Sequence, residues 1–215
     1  MIKRELIDLI SSRTKISHRE LIEKDLILHK LLVELSSSDE FNKNYAFKGG
    51  TCLLKCYLSY YRFSEDLDFT YINQKEFENK SGKEKRKIFS NKINDTMKLI
   101  VDISVKIGME FEADKKNNRY VELGSSSNQV TFKLWYNPDG SSRKNFIKIQ
   151  VNFVENLEYP LVKKNADNFF FGKYEDFQSV FILYENSEWI SKIPVLLCYD
   201  LREILLEKVF TGKIY

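Results

Sequence analysis

Phe47-Lys48-Gly49-Gly50-Thr51 and, one short helix later, Arg62-Phe63-Ser64-Glu65-Asp66-Leu67-Asp68-Phe69 are the residues on which the fold turns. Side chains on a strand alternate between faces, so Asp66 and Asp68 project to one side while Leu67 and Phe69 point into a core. Two neighbouring carboxylates repel unless a cation sits between them. Mg²⁺ prefers such a set, typically one or two carboxylates with phosphate oxygens completing its shell. Gly49 and Gly50 supply the other half. Lacking side chains, they let backbone N–H groups approach a phosphate, and a helix starting near Thr51 aims its positive end at the same place. Either half alone is weak, since most acidic pairs on a strand face solvent and most Gly-Gly-Thr strings are turns. Their order, strand, Gly-Gly, helix, strand with D-x-D, is far narrower.

The rest of the chain bounds the setting. At 215 residues with 43% hydrophobic content, it suits one fair-sized globular domain, or a domain with an appendage. The net charge of +3 comes from 34 basic against 31 acidic residues, too even a balance to establish nucleic-acid binding. The lysines between Lys80 and Lys92 and the pairs Lys115-Lys116 and Lys163-Lys164 read first as solvated faces. Cys52, Cys56 and Cys198 form no C-x-x-C and are odd in number, which suits small buried fillers in a reducing compartment better than a disulfide or zinc. His18 and His29 are too few for a histidine metal site. The start MIKRELIDLI has charges interspersed, unlike a signal peptide, and no apolar run approaches membrane-spanning length, so a cytoplasmic protein with no membrane partner is expected.

Periodicity predicts helices over 2–12 and 17–36, the second with a capping box at Ser17 and Glu20 and an apolar stripe of Leu21, Leu28, Leu31, Leu32 and Leu35. The serine run at 36–38 ends it. A strand Tyr45–Lys48, a helix Thr51–Tyr60 and a strand Asp66–Tyr71 form a motif kernel over 45–72. Residues 74–108 read as helical, with a break near Ser81-Gly82 and an apolar face through Phe77, Ile88, Ile93, Met97, Ile100, Val101 and Val105. From 119 to 198 the chain is strand-rich: Val130–Tyr136 and Phe146–Phe153 alternate as half-buried strands of a hairpin turned at Asn137-Pro138-Asp139-Gly140. Residues 155–193 look irregular, with short strands near Phe169–Phe171 and Val180–Tyr184, before an extended Pro194–Cys198 and a helix capped by Asp200 and running to about Gly212. On that helix Lys208 falls in the apolar arc while Glu203 and Glu207 fall on the polar side. An inward lysine must meet a charged partner or snorkel out. Lys48 and Arg62 flank the kernel, where they can meet phosphates, and Thr51 and Ser64 offer hydroxyls.

The kernel matches the first motif of the polymerase-β-like nucleotidyltransferases, and FKGGTCLLKCYLSYYRFSEDLDF closely resembles the AbiEii/AbiGii toxin family, of the type IV toxin–antitoxin and abortive-infection kind and related to the MenT toxins. Ile22-Glu23-Lys24-Asp25-Leu26 and Tyr199–Lys208 are similar to that family's lead-in helix and E-K motif. The resemblance implies an α/β (α+β) fold, a mixed sheet flanked by helices with N-terminal helices over 1–40, and a metal-dependent transfer of a nucleoside monophosphate from an NTP. Asp66 and Asp68 would hold Mg²⁺ or Mn²⁺, Lys208 would grip the triphosphate, and Lys48, Gly49, Gly50, Thr51, Arg62 and Ser64 would contact the nucleotide. The implied acceptor is RNA, a tRNA 3′ end in that family, and the implied partner a separately encoded antitoxin. A small-molecule or protein nucleotidyltransferase, or a non-catalytic nucleotide- or RNA-binding module, remains the alternative. Two departures stand out. The usual third carboxylate falls on Gln150, with Glu155 out of phase and Glu122 on another strand, and the family's later R-D-x-x-D-like segment and helical bundle do not follow before Tyr215. The latter leads to the expectation of an N-terminal fragment spanning the nucleotidyltransferase domain 1–215, its last helix over 200–212.

Overall fold

The computed structural model describes residues 2–58, 63–124, 128–138, 142–168 and 188–211. Among these, seven strands form one mixed sheet: β1 (Tyr45–Lys48), β2 (Asp66–Tyr71), β3 (Val121–Leu123), β4 (Gln129–Tyr136), β5 (Asn145–Asn152), β6 (Val162–Asn165) and β7 (Val195–Cys198), in the order β3-β4-β5-β2-β1-β7-β6. β2 runs antiparallel to β1 and parallel to β5, and β7 lies parallel to β1 through Phe47 opposite Cys198. The helices are α1 (Arg4–Thr14), α2 (Arg19–Ser36), α3 (Asp39–Asn44), α4 (Gly49–Cys56), α5 (Gly82–Ile107), α6 (Glu188–Ser191) and α7 (Leu201–Thr211).

Alternation sorts the sheet into two unlike faces. Tyr45, Phe47, Leu67, Phe69, Tyr71, Ile149 and Val151 share one face and are buried. Phe41 of α3 meets Phe69 edge-on at 4.9 Å between ring centroids, and Phe89 of α5 packs at 5.7 Å from Phe153. The other face carries Lys48, Asp66, Asp68, Lys148 and Gln150, and α4 crosses it. The predicted α/β class, the kernel strands and the 130–153 hairpin all appear in this arrangement.

Several expectations need correction. α2 begins at Arg19 with no side-chain cap, because the Arg19 amide donates to the Ser17 carbonyl and leaves Ser17 outside the helix. A capping box forms instead at the expected break: the Ser81 hydroxyl accepts from the Glu84 amide at 3.3 Å, and the Glu84 carboxylate accepts from the Ser81 amide at 2.8 Å. The serine run ends α2 and also starts α3, whose first turn is capped by Ser38. α4 begins at the glycines rather than after them and ends at Cys56, four residues before Tyr60, which lies outside the described residues. On α5, Phe89, Ile93, Met97, Ile100, Ile103 and Ile107 form the buried stripe, while Val105 is 75% exposed on the far side. Val162–Asn165, taken as irregular, is an edge strand. Its Val-Lys-Lys-Asn composition hides it from a hydrophobicity reading, as polar edges do. The strands expected at Phe169–Phe171 and Val180–Tyr184, and Asp139-Gly140 of the turn, lie outside the described residues. No described helix is long and apolar enough to cross a membrane.

Candidate active site

Asp66 and Asp68 stand on the polar face of β2 at the floor of an open cavity of about 500 Å³. Gly50, Thr51 and Ser64 form one wall, and Lys24, Lys148 and Lys208 bring positive charge from α2, β5 and α7. Both aspartates are half-buried. Burial raises the pKa of Asp66, with Lys148 acting against it. Burial also pushes Asp68 up to about 6, from an ordinary 3.8; Asp66 adds to this, Lys48 opposes it, and Glu207 and Glu155 add further. Crowded anions of this kind fit a hard divalent cation better than they fit one another.

Gly49 opens this floor. Its φ of +74° is a conformation that other residues rarely adopt, and a Cβ there would overlap the Asp68 carboxylate. The close approach of the α4 start to β2 therefore depends on glycine. Thr51, next along, is buried and donates its hydroxyl to the Asp66 carbonyl at 2.5 Å. Its proton is thereby committed, so Ser64, bonded to the same oxygen, must be the donor of that pair. Both hydroxyls tie the start of α4 to the segment entering β2, and both residues line the cavity.

Lys48 is held by its own partners. It lies opposite Asp68 in the sheet, but its ammonium is enclosed by Glu155 and, at 2.6 Å, by Glu207, with the Tyr199 ring centroid 5.0 Å away. Burial works against the charged form, yet the two carboxylates outweigh it and the Lys48 pKa is raised. Glu155 also accepts from the Asn152 amide at 2.8 Å and from the Tyr199 hydroxyl; burial would raise its pKa, but Lys48 and these donors lower it. Glu207 faces inward, contrary to its expected polar-side position, and so does Glu203. The latter, 6% exposed, accepts from the amides of Glu158 and Tyr159 at 2.9 and 2.8 Å. The outer face of α7 is apolar instead, with Val209 60% and Phe210 84% exposed.

The strand register places Gln150 beside Asp68, as expected for the third-carboxylate position. Glu122, Thr131, Gln150 and Asp68 form one row across the sheet, so Glu122 is three strands from Asp68, roughly 14 Å at the usual strand spacing. Glu122 instead pairs with Lys133 at 2.7 Å. Arg62 lies outside the described residues. Lys24, Lys148, Glu155 and Glu207 were not singled out as site residues from the sequence. Lys148 alone had a local signal, its place on the polar face of β5.

Residues 30–211 match the family of the nucleotidyl transferase AbiEii toxin of type IV toxin–antitoxin systems. The chain belongs to this family. Two solved structures from Helicobacter pylori resemble it in fold: JHP933, at 13% identity and a TM-score of 0.45, and a candidate nucleotidyltransferase, at 12% and 0.44. Each likeness covers 88% of this chain, but only 56% and 58% of those longer chains respectively. Among curated protein sequences nothing matches.

Proposed function

We propose that the protein transfers a nucleoside monophosphate from an NTP to an RNA hydroxyl, a tRNA 3′ end by family likeness, with release of pyrophosphate, and that a separately encoded antitoxin restrains it in the cytoplasm. The observation that carries this reading is the pair Asp66 and Asp68, side by side under a cavity whose walls bring three lysines against one further carboxylate, Glu65. Their crowding fits Mg²⁺ or Mn²⁺, which when bound neutralises the pair and supports attack at a phosphoryl group. Lys208 and Lys148 attract the triphosphate as point charges, and Lys24 lies on the same wall paired with Glu65 at 2.5 Å. Gly49 and Gly50 keep the start of α4 bare, so that backbone N–H groups meet phosphate oxygen without a side chain between them. Gln150 contributes a neutral amide, leaving the cation two carboxylates.

Incubation with each labelled NTP, Mg²⁺ and total RNA is expected to label RNA. Label on protein or on a small molecule would overturn the acceptor assignment, and absence of turnover with all four NTPs the whole reading. Lys208→Ala is expected to weaken NTP binding by about tenfold, the loss of one charge-assisted contact of ~1.4 kcal/mol, by calorimetry. Unchanged affinity with a lowered melting temperature would make Lys208 a structural residue.

The raised Asp68 pKa sets a pH dependence. In the metal-free protein the folded state holds its proton more tightly than the unfolded chain does, so stability falls as pH rises from about 4 to about 6. Cation binding runs the opposite way, since the ligand must be deprotonated. Affinity for Mn²⁺ is expected to drop about tenfold per pH unit below about 6 and to level off above it. A flat profile down to pH ~5 would remove Asp68 from the ligand set.

A further inference from the structure

The three cysteines, separate in the sequence, converge in space. Cys52 and Cys56 lie one turn apart on the same face of α4, and Cys198 at the end of β7 faces them. All three sulfurs lie within 4.8 Å of one another, and those of Cys56 and Cys198 are 3.8 Å apart. Two thiolates on a tetrahedral zinc ion, at about 2.3 Å from the metal, are separated by about 3.8 Å. Fillers of a core would rest mainly against aliphatic carbon; here the sulfurs turn toward each other. A disulfide between any two would leave the third sulfur unpaired against it.

We propose that Cys52, Cys56 and Cys198 form a binding site for a thiophilic closed-shell cation such as Zn²⁺, with three thiolate ligands and a fourth position for water. Each thiol releases its proton to solvent on binding. Cys52 and Cys198 are fully buried and shield the ion, while Cys56 is partly exposed and offers a way in. Lys164 acts electrostatically on the Cys56 sulfur and offsets part of the excess negative charge of three thiolates on a divalent ion, while Lys55 is paired with the buried Asp25 at 3.0 Å. Lys164 is held there over the Tyr57 ring, 4.6 Å from its centroid. The bound ion would pin α4, whose first residues shape the aspartate floor, to the strand that leads into α7 with Glu207 and Lys208. The site is thus distinct from the aspartate pair but mechanically joined to it.

The test uses the full chain, reduced and metal-free, with Asp66→Asn and Asp68→Asn both present so that no cation at that pair is counted. One Zn²⁺ per chain is expected to bind in competition with a chelating dye and to raise the melting temperature. Co²⁺ in its place is expected to give the near-ultraviolet charge-transfer absorption of cobalt–thiolate bonds. Cys56→Ser, the variant at the least buried position, is expected to weaken Zn²⁺ at least about tenfold while circular dichroism shows the fold retained; Cys198→Ser should do the same. Cobalt binding without the thiolate absorption, Zn²⁺ affinity unchanged in Cys56→Ser, or failure of the reduced chain to take up Zn²⁺ would each overturn the proposal.

Discussion

Asp66→Ala and Asp68→Ala are each expected to lower nucleotide transfer by about a thousandfold or more. A divalent cation at a phosphoryl-transfer centre contributes several kcal/mol to transition-state stabilisation. Losing ~4 kcal/mol corresponds to about three orders of magnitude in rate. Gln150 is neutral, Glu155 and Glu207 are engaged by Lys48, and Glu65 of the same cavity is engaged by Lys24, so each neighbouring described carboxylate already has a cation of its own. The fold should survive. Asp68 is a crowded acid held at a raised pKa, so its removal is expected to stabilise the metal-free protein at neutral pH by about 2 kcal/mol, a rise of several degrees in melting temperature. Labelled-NTP assays and thermal melts decide both points. Transfer near the parent level in either variant would end the assignment of that residue.

Lys48→Ala is expected to cost about 3–5 kcal/mol of stability, the range for breaking a buried ion pair from one side. For a domain of this size that lowers the melting temperature by roughly 10 °C. The loss arises from what remains: Glu155 and Glu207 would face each other in a part-buried space without their shared cation. Their charge can be relieved by protons, so the deficit of Lys48→Ala relative to the parent should be smaller at pH ~5 than at pH ~7. Adding Glu207→Gln should recover part of it. A melting temperature equal to the parent's at both pH values would show that the cluster contributes nothing to folding.

The aspartate pair and its strand were readable from sequence because alternation needs only residues two apart. The same local rule placed Gln150 on the polar face, and the observed register puts it next to Asp68. The partners of Lys48 were hidden for the opposite reason. They lie 107 and 159 residues away, and no local pattern announces that Glu155 and Glu207 arrive on the same side. The three cysteines are buried or half-buried and unpaired, as expected, but their convergence was hidden for the same reason: Cys198 meets Cys52 and Cys56 only because β7 lies beside β1, a consequence of sheet order. On α7, Leu201 and Ile204 face the core as expected, but Glu203 and Glu207 were misplaced because they carry charge yet face inward, where amides and a lysine satisfy them. Polarity predicts solvent only when no such partners exist.

The parallel pairing of β1 with β7 also bears on when the protein acquires its activity. During synthesis, the strand with both aspartates leaves the ribosome long before the helix that bears Glu207 and Lys208. Until that helix docks, Lys48 lacks one of its two anionic partners and the cavity lacks the cation contributed by Lys208. A nascent chain thus carries its acidic floor without the wall that would hold a triphosphate over it. Competence should arise only once the residues of α7 have emerged and docked, as a single event at the closing of the sheet, and a truncation before 201 should yield a chain that is inert however well its first strands fold.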